Sequence, residues 1–122
     1  MNTEIVMRVE VLRDTIRITY RTSDSLDGGT GSLSIRINRR TAVAMMNQIL
    51  NHHAGYSSCM VTDNIWLDIN TETRVGTFVC LPAGLAVAVS ADDMKALGYE
   101  LADAVKSIDL AEIKASRMWV AR

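Results

Sequence analysis

The sequence predicts an α+β fold, a mostly antiparallel sheet of six to seven strands with two main helices on one face. Three observations predict it. Short runs alternate apolar and polar residues with period two, as in TIRITYRT over residues 15–22, the mark of a half-buried strand. Two stretches carry apolar residues at helical spacing directly after a polar capping residue. The two strand-cap-helix units also share one register: adding 52 carries Leu33 to Leu85, Asn38 to Ser90, Met45 to Leu97 and Ile49 to Leu101. That offset implies a pseudo-two-fold repeat of a strand-hairpin-strand-helix unit, over about 5–53 and 59–108. A C-terminal helical tail over 109–122 completes a single domain spanning 1–122.

The elements follow in order. Ile5 to Val11 is strand-like, and Arg13-Asp14 is a turn. In the strand Thr15 to Thr22, Ile16, Ile18 and Tyr20 face inward while Arg17 and Arg21 face outward. Asp27-Gly28-Gly29 is turn chemistry, because glycine adopts positive φ without a steric penalty. Leu33 to Ile37 places Leu33, Ile35 and Ile37 inward and Arg36 outward. Asn38 caps a helix whose apolar stripe is Ala42, Met45, Met46, Ile49 and Leu50, with Gly55 near its end.

In the second unit, Cys59 to Thr62 is a short strand and Asp63-Asn64 a turn. Ile65 to Asn70 points Ile65, Leu67 and Ile69 inward and Trp66 outward. Val75 to Leu81 is an additional strand where the first unit has its glycine loop. Leu85 to Val89 is apolar on both faces, which predicts a central strand covered on both sides. Ser90 to Asp93 resembles a capping box. The helix after it carries Met94, Leu97, Leu101, Ala104, Val105 and Ile108 on one side. Asp109 to Glu112 reads as a further capping box, predicting a third short helix or a kinked continuation to about residue 118.

Composition narrows the function classes. A hydrophobic share of 48% with 22% charged residues fits a globular domain with an aliphatic core, since aromatics are only 5%. The net charge of -1 argues against a dedicated DNA-binding domain. Charge is uneven, however: residues 1–53 hold seven Arg against five acids, and residues 54–122 six Lys/Arg against nine acids. No stretch has the apolar length of a membrane span, and the N-terminus lacks the apolar segment of a signal peptide, so a cytoplasmic location is expected. Cys59 and Cys80 lie in apolar runs, where a free cysteine behaves as a small hydrophobe.

No motif points to catalysis, and whether the chain is an enzyme stays open, leaning to no. His52 and His53 are adjacent, so they diverge by about 100° on a helix and suit a helix C-terminus better than one metal. No cofactor and no metal site is expected. Asp27-Gly28-Gly29-Thr30-Gly31 reads as a hairpin turn, with a phosphate cradle as the alternative.

Arg39 and Arg40 oppose the helix dipole in the first turn, where the second unit has Ala91 and Asp92. Two readings answer that conflict: an anion site, or an ion pair across the two units or across an oligomer. Arg17, Arg21 and Arg36 face outward, with Arg8 if the first strand pairs alongside; joined by Trp66 they would form an arginine-rich face for single-stranded nucleic acid or a protein. Met118, Trp119 and Val120 make the tail apolar, which suits docking on its own domain or, the favoured use, on a second copy.

The expected function is therefore a non-catalytic binding protein acting through protein-protein contacts, homo-oligomeric, of the size of the small inhibitors or adaptors that phages and mobile elements encode. Its expected partners are a second copy and an unidentified protein. The alternative is a binder of an anionic ligand, a nucleotide or single-stranded nucleic acid, through the arginines. A small enzyme with an unfamiliar site is the third.

Overall fold

The computed structural model describes residues 5–22, 31–51, 56–70, 72–81 and 84–120, with backbone alone for 5–6, 22, 31, 56–57, 85 and 117–120. Seven strands and two helices follow in the order β1 (Ile5–Leu12), β2 (Thr15–Thr22), β3 (Gly31–Asn38), α1 (Arg39–Leu50), β4 (Tyr56–Thr62), β5 (Ile65–Asn70), β6 (Gly76–Cys80), β7 (Leu85–Val89) and α2 (Ala91–Val120). The class is α+β, as the alternation and the two amphipathic stretches require. The strands divide into two antiparallel sheets, β1-β2-β3 and β4-β5-β6-β7, rather than one. Strands β3 and β7, which feed the two helices, touch but belong to separate ladders.

Turn chemistry closes the hairpins where expected. Arg13 adopts φ 61° and Leu12 pairs with Thr15, so Arg13-Asp14 is a two-residue connection, with the Thr15 hydroxyl donating to the Leu12 carbonyl at 3.0 Å. Asp63-Asn64 does the same between β4 and β5. Between β5 and β6, the Asn70 side-chain carbonyl accepts from the amides of Glu72 and Thr73. Arg74 then takes φ 66° to complete the turn.

Both helices start at the residues that cap them. The Thr41 amide donates to Asn38 Oδ1 at 2.8 Å, and the Asp93 amide to Ser90 Oγ at 3.2 Å. These caps sit at the predicted offset. The strand pairing follows it less evenly: β3 pairs with β2, whereas β7 pairs with β6, the strand that has no counterpart in the first unit.

Two expectations are corrected. First, α2 is one 30-residue helix with no break at Asp109. No Gly or Pro occurs between Tyr99 and Val120 to end it, and the Asp109 carboxylate is engaged by Arg39 rather than by a new helix start. Second, β7 is neither central nor covered on both faces: it is an edge strand of the order β4-β5-β6-β7, and Val87 and Val89 are buried while Ala86 is exposed and Ala88 half-exposed. Helix α1 also ends earlier than Gly55, on Asn51, whose amide donates to the Asn47 carbonyl. Gly55 lies outside the described residues.

Both sheets and both helices contribute to one core. From β2 and β3 come Ile16, Ile18, Leu33, Ile35 and Ile37; from β5 to β7 come Leu67, Ile69, Phe78, Val87 and Val89. The stripes of α1 (Ala42, Met45, Ile49) and α2 (Met94, Leu97, Leu101, Ala104, Val105, Ile108) close it. Tyr20 tethers β2 to the start of α2, its hydroxyl donating to Asp93 Oδ2 at 3.2 Å. Burial first, then the Asp93 carboxylate, pushes the phenol up from 10 to about 12. The folded protein thus holds this proton more tightly than the unfolded chain. The stability it supplies is complete below pH 10 and is lost as pH rises through 10 to about 12. Urea midpoints of the native protein should fall across that window, and the difference from Tyr20→Phe should narrow with them.

Candidate interaction surfaces

With most described inner positions of the strands spent on the core, Val11 being an exposed exception, the outer faces are the larger exposed surfaces. On the first sheet, register sets the pattern. Arg17 on β2 stands directly opposite Arg36 on β3 and Glu10 on β1. One row away, Thr19 faces Ser34 and Arg8; Arg21 faces Ser32 in the next. Period two puts all of these on the side away from Ile16, Ile18 and Tyr20. Four arginines and one glutamate therefore share one face, and Arg8, Arg21 and Arg36 are exposed. Arginines directly opposite one another repel, an effect that Glu10 on the other side of Arg17 opposes.

Trp66 is not part of that face. It lies on β5, in the second sheet, where Met60 pairs with Trp66, Trp66 with Val79, and Val79 with Ala86. These four form an apolar row across all four strands, on the outer side. Met60 is 52% exposed, Ala86 is exposed, and Trp66 and Val79 are half-buried by their neighbours. The next row, Ser58, Asp68, Thr77 and Ala88, is more polar. Trp66 stands out in the sequence, but its companions do not. Their signal was parity: Met60, Val79 and Ala86 alternate with the buried residues of their strands, yet only pairing shows that they share a row.

Arg39 answers the helix-dipole conflict by pairing. Its Nε and Nη2 reach Asp109 Oδ1 and Oδ2 at 2.7 and 3.0 Å, a two-point contact between the first turn of α1 and the middle of α2. The hydrogen bond from Arg39 holds the Asp109 carboxyl below the usual carboxylate range. Both side chains are solvent-exposed, so this contact orients α2 more than it stabilises the fold. Arg40 is exposed beside it.

Beyond Asp109, α2 leaves the body. Residues 110–116 are all exposed, and Leu110 and Ile113 are each 48% accessible. At about 100° per residue, Leu110 lies about 200° from Ile108, on the side opposite the core stripe, with Ile113 about 60° from it. The apolar pattern of the helix thus changes face where the body ends. Met118, Trp119 and Val120 occupy its last turn, and their side chains lie outside the described residues.

Among the described residues no three His, Cys, Asp or Glu groups converge as metal ligands. His52, His53 and the glycines at 28 and 29 lie outside them. Cys59 and Cys80 are free thiols, and burial pushes the Cys59 thiol up, away from the reactive thiolate. Among the described residues, no helix is long and apolar enough to cross a membrane. No known family model, curated protein or solved structure matches the chain.

Proposed function

We propose that this chain is a non-catalytic binding protein that acts through protein-protein contact, with a second copy of itself as the partner. The observation that carries the reading is the outer end of α2. A helix end that packs on nothing gains only its own ladder hydrogen bonds, so an apolar edge along it favours a partner. Residues 110–120 have only exposed side chains as far as Ser116, and Leu110 and Ile113 form an apolar edge that the body does not use. The helix end spans about 16 Å, close to the roughly 14 Å that the Met60–Trp66–Val79–Ala86 row covers across its four strands. An apolar helix edge and an apolar sheet face in one chain are complementary between two copies, each helix end covering the other copy's row.

The two tryptophans make this directly measurable, because Trp66 sits in the row and Trp119 in the last turn of α2. Sedimentation velocity should show a monomer-dimer equilibrium, with tryptophan emission moving to shorter wavelength as the dimer fills. Leu110→Glu with Ile113→Glu should weaken self-association by about 100-fold, the equivalent of about 2.7 kcal/mol. Both residues are exposed, so the variant should remain folded. A wild-type chain that stays monomeric at about 100 μM would reject the reading.

A second reading rests on a separate observation, the opposed Arg17 and Arg36 with Arg8 and Arg21 around them. Single-stranded nucleic acid bound there would be held through its phosphates, and affinity would fall steeply with salt. Fluorescence anisotropy with a labelled oligothymidylate should then show at least a tenfold loss on replacing Arg17 and Arg36 by Gln. Equal affinity for the variant, or none at low salt, removes this reading and leaves the first untouched.

A further inference from the structure

A cavity of about 400 Å³ opens between the end of α1 and the start of α2, within the usual size range of small-ligand sites. Its walls are of two kinds. Ile49, Leu50, Ile69 and Met94 make an apolar floor, while Arg74 and Lys95 bring two positive charges to the same space. Arg74 is held in an unusual state. Its backbone is left-handed at φ 66°, and its Nη2 donates to the Ile49 carbonyl at the end of α1. The other guanidinium nitrogen, Nη1, is buried and has no hydrogen-bond partner among the described residues. A buried donor on a charged group is costly to leave without an acceptor, and Arg74 brings that charge to the cavity wall.

The start of α2 adds to the same field. The Asp93 amide is taken by Ser90 Oγ and the Met94 amide by the Ser90 carbonyl. The first two amides of the helix, at Ala91 and Asp92, have no acceptor within the helix, and both residues line the cavity. The exposed carboxylate of Asp92 stands among these groups, leaving two cationic side chains against one acid.

We propose that this cavity binds a small amphiphilic carboxylate, its head between the Arg74 guanidinium and Lys95 and its apolar body on Ile49, Leu50, Ile69 and Met94. A guanidinium edge and an ammonium suit a carboxylate. The single acid nearby disfavours a dianion such as phosphate, and the apolar floor gives no partners to a polar body. The site is independent of self-association, because it uses neither the outer sheet face nor the end of α2.

The test is a titration of the full chain with sodium octanoate and sodium 4-phenylbutyrate, followed by thermal shift and by amide and Met94 methyl NMR signals. 1-Octanol and inorganic phosphate serve as the head-less and body-less controls. At least one carboxylate should saturate with Kd below about 1 mM, with both controls weaker by at least about tenfold. Lys95→Glu, at an exposed position, should weaken that carboxylate by at least about tenfold while leaving the unliganded melting temperature close to wild type. Arg74→Gln should lose binding as well, but Lys95→Glu decides the case if loss of the contact to α1 unfolds it. No saturable binding by either carboxylate, equal binding by 1-octanol or phosphate, or undiminished binding by Lys95→Glu would each overturn the proposal.

Discussion

Phe78→Ala is expected to lower the stability of the fold by about 4 kcal/mol, seen as a drop in the urea midpoint with little change in slope. Phe78 is the only phenylalanine of the chain and is fully buried. It sits in the middle of β6, paired with Leu67 on β5 and Val87 on β7, both of which are also buried. The substitution removes the ring and leaves a hole walled by strands that ladder hydrogen bonds hold apart, so little collapse can offset the loss. The core has few other aromatics to move into the gap. A small domain is stable by about 5–15 kcal/mol in total, so this single change should leave the chain near its threshold. Phe78→Leu, which keeps most of the apolar volume, should cost about 1.5 kcal/mol. A loss below that value for alanine would mean that the second sheet closes over the cavity, and that β6 is less rigidly placed than its pairing on both sides implies.

Phe78 also shows where sequence reasoning reaches. Its strand was legible, because the run from Val75 to Leu81 is β-branched and bounded by turn residues. The clean period of Thr15 to Thr22 placed Ile16, Ile18 and Tyr20 inward and the arginines outward, as found. Asn38 and Ser90 marked both helix starts because capping is local chemistry. What was not legible depends on contacts distant in sequence. Parity alone says that Arg17 and Trp66 both face out; only the division into two ladders says that they face out on different sheets. The two arginines at the start of α1 signalled a conflict, but the partner of Arg39 is Asp109, 70 residues away. Arg74 in a turn carries no mark in sequence that its guanidinium reaches the end of α1. The apparent capping box at Asp109 misled because its residues suit a helix start and a helix middle alike, and no breaker separates the two cases.

Gly98 is the clearest residue of this kind, and its replacement by valine is expected to cost about 3 kcal/mol. A glycine inside a helix normally weakens it by about 1 kcal/mol relative to alanine, so its presence in α2 requires a packing reason. That reason is the approach of α1. A Cβ added at Gly98 would stand 2.7 Å from Ile49 Cγ2 and 2.8 Å from Leu50 Cδ2. Leu50 can swing its terminal methyl aside. Ile49 cannot do so easily, because Cγ2 is fixed to its branched Cβ, one χ1 rotamer dominates in a helix, and the residue is 2% exposed. The helices must therefore separate. Even Gly98→Ala should destabilise by about 1 kcal/mol, the clash outweighing the gain in helix propensity. A double-mutant cycle distinguishes this from any intrinsic effect of the helix: with Ile49→Ala in place, Gly98→Ala should become neutral or stabilising, a coupling of at least about 1 kcal/mol. Additive effects would show that the close approach does not set the cost. The consequence reaches the cavity, because Ile49 and Leu50 form part of its floor and Tyr99, next to Gly98, lies on its wall. A variant that moves α1 from α2 should therefore weaken carboxylate binding without touching Arg74 or Lys95, linking the packing of the two helices to the cavity between them.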